Sequence, residues 1–237
     1  YTLLLAAAGP TVINPSLYAN MPFNPAKDLT AITCIEKEHN LMVVTKSLPA
    51  KTLQEFLQYA RANPGKLSFG SPGNGSPAQL AGELLKQRAG LQAEHVPYKG
   101  TPQGLTDVVG GQVDFMFTDL ASGLPFVQSG QLRALAVSTA ERSAIVPDLP
   151  SMAESGVKDF DLNSWNGYFG PAGLPPEVVA KLNAAINQVV AKPEVKKRLA
   201  GLGFDAFSST PEAFAQFVSE QRDLWGKLIR DAGIEQQ

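Results

Sequence analysis

One cysteine and two histidines are all the thiol and imidazole side chains that 237 residues contain. A lone Cys34 forbids an internal disulfide and every multi-cysteine metal site. His39 and His95 alone leave little basis for a histidine-rich zinc or iron centre. Charge is scarce as well: Asp, Glu, Lys and Arg make up 18% of the chain, against roughly 25% in an average soluble domain. Twenty Lys and Arg face 22 Asp and Glu, giving a net charge of −2 and no basic stripe of the kind nucleic acid requires. The longest basic run, Lys196-Lys197-Arg198, falls inside an expected helix. No apolar run approaches the roughly 20 residues that cross a bilayer; the longest, Leu3 to Pro10, reads as a strand entering a turn. The chain opens on Tyr1 with no positively charged leader region, which reads as a processed or truncated product.

What the sequence does have is a 44% hydrophobic share, enough for an ordinary core, with 21 glycines and 18 prolines shaping its loops. Tyr1 to Ala7 reads as a buried strand ended by Gly9-Pro10, and Asn14 to Pro25 as loop with at most one helical turn. Thr30 to Glu38 and Asn40 to Thr45 read as strands. Thr52 to Ala62 is a helix, with Glu55 at capping-box distance from Thr52 and Asn63-Pro64-Gly65 as its stop. Strand and helix then alternate: strands at 66–70, 93–96, 113–117 and 132–139, and helices ending at Ala89 and over 101–109 and 120–128. Such alternation predicts a parallel or mixed α/β sheet. A short helix is expected around Ser151 to Ser155, and a strand over Ser164 to Gly170. Helices follow at Pro176 to Val190, Glu194 to Leu202 and Pro211 to Ala232, the last opened by Thr210 and Pro211 as cap and first residue.

Three strand-to-helix loops carry the chemical interest. Gly70-Ser71-Pro72-Gly73-Asn74-Gly75-Ser76-Pro77 is rich enough in glycine to curl, and the helix after it offers N–H groups to an anion. The alternative is a tight turn with a serine cap. A P-loop is excluded, because Ser76 and Pro77 stand where Lys and Ser/Thr must reach phosphate and Mg²⁺. Gly73-Asn74-Gly75-Ser76-Pro77-Ala78 fits the loose dinucleotide fingerprint, with Glu94 read as ending the next strand. A dinucleotide-binding α/β enzyme is therefore the second reading. The next loop, Val96-Pro97-Tyr98-Lys99-Gly100-Thr101, can present backbone N–H groups and a hydroxyl at Gly100 and Thr101, with Tyr98 walling a pocket. Lys99 is a charge partner or simply exposed. The third, Phe117-Thr118-Asp119, sits at a strand's carboxyl end, where Asp119 either accepts from a ligand or caps the next helix.

Catalytic groups are missing from all three. Phe69-Gly70-Ser71-Pro72-Gly73 lacks the first glycine of a nucleophile elbow, and no pair of carboxylates has a spacing that argues for shared acid–base work. Both histidines read as structural or exposed, and Cys34 as a small core residue. Ligand-ready loops without nucleophile or metal point to binding.

At these positions the chain resembles the Bug-type extracytoplasmic solute receptors of tripartite tricarboxylate transport. The resemblance rests on Tyr1-Thr2-Leu3-Leu4-Leu5, on Asn63-Pro64-Gly65-Lys66-Leu67-Ser68-Phe69-Gly70-Ser71-Pro72-Gly73 and on Val96-Pro97-Tyr98-Lys99-Gly100. Gly111-Gln112-Val113-Asp114, Leu132-Arg133-Ala134-Leu135-Ala136-Val137 and Trp165-Asn166-Gly167 continue it in order. It implies an α/β fold of the type II periplasmic-binding-protein class, a Venus-flytrap of two lobes around a cleft joined by two crossover strands. The crossovers are expected at Leu41 to Thr45 and Trp165 to Gly170. One lobe would be residues 43–163, the other 1–42 with 164–237. The family begins with a βα unit bearing a Pro-Pro-Gly-Gly loop, so the resemblance implies that the first lobe here lacks its N-terminal βα unit. It implies a periplasmic monomer that is no enzyme and takes no cofactor or metal. Its partners would be a small carboxylate (a dicarboxylate or aromatic acid) and the subunits of a membrane permease, not nucleic acid. The ligand-facing positions carried over are Ser71, Gly75, Ser76, Tyr98, Gly100, Thr101 and Asp119, with Ala8, Gly9 and Thr11 in the other lobe.

Overall fold

The computed structural model describes residues 2–162, 164–234 and 236. Tyr1, expected to head the first strand, Asn163, expected to end a lobe, Glu235 and Gln237 lie outside the described residues. The chain forms two compact units, one from residues 1–38 and 164–237, the other from residues 39–163.

In the first unit, β1 (Leu4–Ala7) leads into a π-helical turn (Gly9–Ile13) and the short helices α1 (Asn14–Leu17) and α2 (Pro25–Asp28). β2 (Leu29–Glu38) follows, and the unit resumes with β8 (Ser164–Pro171), α7 (Pro176–Val190), α8 (Pro193–Gly201), β9 (Phe204–Ala206) and α9 (Pro211–Asp231). Its sheet runs β1-β8-β2-β9, antiparallel at every pairing. α7 buries Val179 against Ile32 and Leu174. α9 places Phe214 and Phe217 on Trp165, with ring centroids 5.3 and 5.7 Å away.

The second unit holds β3 (Asn40–Thr45), α3 (Leu53–Ala62), β4 (Leu67–Ser71), α4 (Pro77–Ala89), β5 (Ala93–Pro97), α5 (Thr101–Val109), β6 (Phe115–Asp119), α6 (Leu120–Gln128) and β7 (Leu132–Val137). Its sheet order is β5-β4-β6-β3-β7. β5, β4 and β6 are parallel neighbours, while β3 pairs antiparallel with β6 and β7. Leu41, Val43, Val113, Met116, Leu132 and Val137 meet Leu105, Val108 and Leu120 in one buried cluster. β4, β5 and β6 therefore end side by side, which gathers the loops after them along one edge.

Several expectations shift. The passage between sheets comes at Glu38–His39, ahead of Leu41–Thr45, because β3 is hydrogen-bonded on both sides within the second sheet. Trp165 to Gly170 likewise lies wholly within β8 of the first sheet. No helix forms at Ser151–Ser155. There Ser151 bridges Val137, and the Glu154 carboxylate accepts the Ser151 N–H at 2.9 Å, closing a turn. β9 had no signal in the sequence.

Candidate functional site

The glycine loop links Ser71, the last residue of β4, to Pro77, the first of α4. Gly73 and Gly75 take φ of +143° and +75°, backbone that side-chain-bearing residues rarely adopt. Ser76 caps α4, its hydroxyl accepting the Gln79 N–H at 3.3 Å while keeping its own proton to donate. The loop's N–H groups turn inward. Gly73 N–H donates to Ser71 Oγ at 3.2 Å, Gly75 N–H to Gln79 Oε1 at 2.6 Å and Ser76 N–H to Gly73 O at 3.3 Å. A cradle of unengaged N–H groups, as the glycine spacing suggests, is thus not what these three form; they fix the loop's own shape.

Beneath the loop lies a residue that spacing did not single out. His95, on β5, sits 2.6 Å from Ser71 Oγ through Nε2 and 3.2 Å from Gln79 Nε2 through Nδ1. Its ring packs on Phe69 with centroids 4.9 Å apart. Burial lowers its pKa below the ordinary histidine range, with Glu83 pulling it back up and Lys86 pressing it further down.

In the second loop Tyr98 turns back onto the unit. Its N–H donates to Ser71 O at 2.8 Å, and its hydroxyl donates to Asp107 Oδ2 on α5 at 2.8 Å. Burial and the Asp107 carboxylate push the phenol up to about 12. The ring lies where a side chain on Gly70 or Gly104 would meet it at 3.3 Å. Gly100 caps α5 through its backbone, and Thr101 begins that helix, both half-buried. Lys99 is exposed. In the third loop Asp119 caps α6, its Oδ1 accepting the Ser122 N–H at 2.7 Å.

Ser71, Gly75, Ser76, Tyr98, Gly100, Thr101 and Asp119 thus all belong to loops at the carboxyl ends of three adjacent parallel strands. Ala8, Gly9 and Thr11 lie in the first unit. Ala8 and Thr11 are buried, and the Thr11 hydroxyl donates to Ala7 O at 2.8 Å, which leaves Gly9 as the accessible member. Cys34 is buried, and that burial pushes its thiol up to about 12. Among the described residues, no three His, Cys, Asp or Glu side chains gather as metal ligands would. Nor is any described helix long and apolar enough to cross a membrane.

The dinucleotide reading loses its acidic partner. Glu94 is the second residue of β5, in register with Ser68, whereas the glycine loop leaves from the other end at Ser71, opposite Pro97. A carboxylate at the strand's amino end is not placed for a ribose at its carboxyl end.

The family model for the tripartite tricarboxylate transporter family receptor matches residues 1–234. The chain belongs to this receptor family. A UPF0065 protein from the tcbD-tcbE intergenic region of Pseudomonas sp. strain P51 is 34% identical over 230 residues, covering 97% of this chain and 68% of that one. BugT of Bordetella pertussis is 29% identical over 236 residues, covering 99% of this chain and 72% of its own. Among solved structures, Rpa4515 of R. palustris with adipate superposes with a TM-score of 0.83 at 32% identity, covering all of this chain and 79% of that one. The periplasmic binding protein BugD gives 0.77 at 32% identity, over 100% and 80% of the two chains. MatC of Rhodopseudomonas palustris with bound malate gives 0.74 at 30%, over 96% and 79%. The receptor's mixed α/β sheets are those of a two-lobe periplasmic-binding-protein fold.

Proposed function

We propose that this receptor captures a small dicarboxylate in the periplasm and delivers it to a membrane permease. The observation that carries the reading is the alignment of three ligand-sized loops at the ends of β5, β4 and β6, each opening a helix. Helix starts favour an anion, and a carboxylate held there through hydroxyls and bridging waters needs no arginine. The Ser76 and Thr101 hydroxyls, the Gly100 backbone and the Asp119 carboxylate are the proposed ligand-facing groups, with Ser71, Gly75 and Tyr98 holding the loops behind them. Asp119 then selects acids that also carry a donor, such as a hydroxyl. The two receptors of this family solved with adipate and malate support a dicarboxylate.

A thermal-shift screen over mono-, di- and tricarboxylates, aromatic acids and NAD(P) tests it. A dicarboxylate at 100 times its dissociation constant stabilises the folded chain by about 2.7 kcal/mol. A response to NAD(P) with none to any free acid would overturn the reading.

A further inference from the structure

A closed chain of hydrogen bonds runs under the glycine loop, and its direction is fixed at one end. Gly75 N–H donates to Gln79 Oε1 at 2.6 Å, so the Gln79 amide presents its NH₂ to His95 Nδ1, 3.2 Å away. Nδ1 must then accept, which places the ring proton on Nε2. Nε2–H donates to Ser71 Oγ at 2.6 Å, and Ser71 passes its own proton to Gly73 O at 3.0 Å. One neutral imidazole therefore ties Ser71, Gly73, Gln79 and Gly75 together.

We propose that His95 is the positioning residue of the ligand loop, and that protonation of its ring releases the ligand. The inference rests on the receptor reading. A doubly protonated ring turns Nδ1–H against the Gln79 NH₂, donor to donor. Relief requires Gln79 to rotate its amide, which takes Oε1 away from the Gly75 N–H and frees the loop at its far end. The charged groups near the ring are Glu83 and Lys86 of α4, themselves ion-paired at 2.7 Å; Glu94, the preceding residue of β5, is on the opposite face of the strand. β4 contributes no titratable side chain, only Leu67, Ser68, Phe69, Gly70 and Ser71. The pair on α4 offsets itself, and the ring answers to solvent pH.

Two measurements on the whole chain test this. The first is calorimetric titration with adipate and with malate between pH 8 and pH 5, on the native protein, His95→Gln and His95→Phe. Glutamine can still donate toward Ser71 but does not titrate; phenylalanine keeps only the stacking on Phe69. The expected order of affinity at pH 7.5 is native, then Gln, then Phe. Below the ring's pKa, native Kd rises by up to about tenfold per pH unit relative to His95→Gln, which carries the same ionisation of the acid itself. The second is ¹⁵N NMR of the ligand-free native protein. The ring reports an Nε2–H tautomer at pH 7.5, and the Gly75 amide resonance moves with the same midpoint as the ring. Equal pH slopes in native and His95→Gln overturn the release. A ring and a Gly75 amide that titrate independently overturn the positioning role whether or not an acid binds. Absence of binding to either acid at every pH overturns the dicarboxylate reading and the release with it, while the NMR arm still decides the positioning role.

Discussion

Under the second unit's glycine loop, the polar side chains of Ser71, Gln79 and His95 satisfy one another, whereas the first unit buries Glu36 Oε2, Trp165 Nε1 and Arg222 Nε without a hydrogen-bond partner. Thr118 Oγ1 is the second unit's single counterpart among the described residues. The contrast separates two uses of buried polarity. A matched network costs little and fixes one geometry, so breaking it strands several groups at once. An unpartnered atom already carries its desolvation cost, about 1–3 kcal/mol, and its removal is nearly neutral or stabilising. The titratable members also act in opposite directions. Burial raises the Glu36 pKa against a hydrogen bond from Asn166, so stability from this group is complete at low pH and is lost as pH rises through its folded value. Burial lowers the His95 pKa, so stability from that ring is complete above the ordinary histidine range and is lost as pH falls.

The sharpest break of this contrast is Ser71→Ala, which removes a fully buried hydroxyl and strands the half-buried His95 Nε2–H and Gly73 N–H together. It should lower unfolding stability in urea by about 2–3 kcal/mol; a loss below about 0.5 kcal/mol would show that the network is not matched. The two buried tryptophans give a pair within one unit. Trp225 Nε1 donates to Gln221 Oε1 at 3.0 Å, while Trp165 Nε1 has no partner. Trp225→Phe should therefore cost about 1–2 kcal/mol more than Trp165→Phe, and equal melting temperatures for the two variants would remove the distinction. Glu36→Gln should stabilise by about 1 kcal/mol at pH 8, with the gain gone at pH 4, where the native carboxyl is itself neutral. A gain that persists at pH 4 would mean charge is not its cause. Thr118→Val, deleting the second unit's orphan hydroxyl, is the smallest change: a rise of about 0.5 kcal/mol, against a fall if the hydroxyl has a role in the fold.

Elements whose signal is local were legible in the chain. Pro176–Val190 and Thr101–Val109 match their expected ends to the residue, since a proline or a turn before a run of apolar positions at helical spacing defines them. β9 is three residues with no period, and it exists only because Glu36–Glu38 offers it an edge. The strand expected at Val113 begins at Phe115, because Gln112 and Val113 donate back to Asp107 O and Asp114 binds the Ser68 N–H, holding the approach as a turn. The site divides the same way. Glycine and serine spacing located the loop, but not His95, which meets Ser71 and Gln79 only once β5 lies parallel to β4 and α4 crosses above them.

α4 rests on the sheet through Gly82, where even a methyl group would sit 2.2 Å from the Phe69 ring, and that ring is flanked by His95 and by Phe115 at 5.5 Å. With no slack at that contact, the helix that carries Ser76 and Gln79 cannot slide over β4. Residues 71 to 79 should then relax like strand backbone, with order parameters of about 0.85 at neutral pH. A surface already ordered before the ligand arrives loses no conformational entropy in meeting it. On the proposed binding face, encounter would then be limited by diffusion and orientation rather than by the time a loop takes to find its shape.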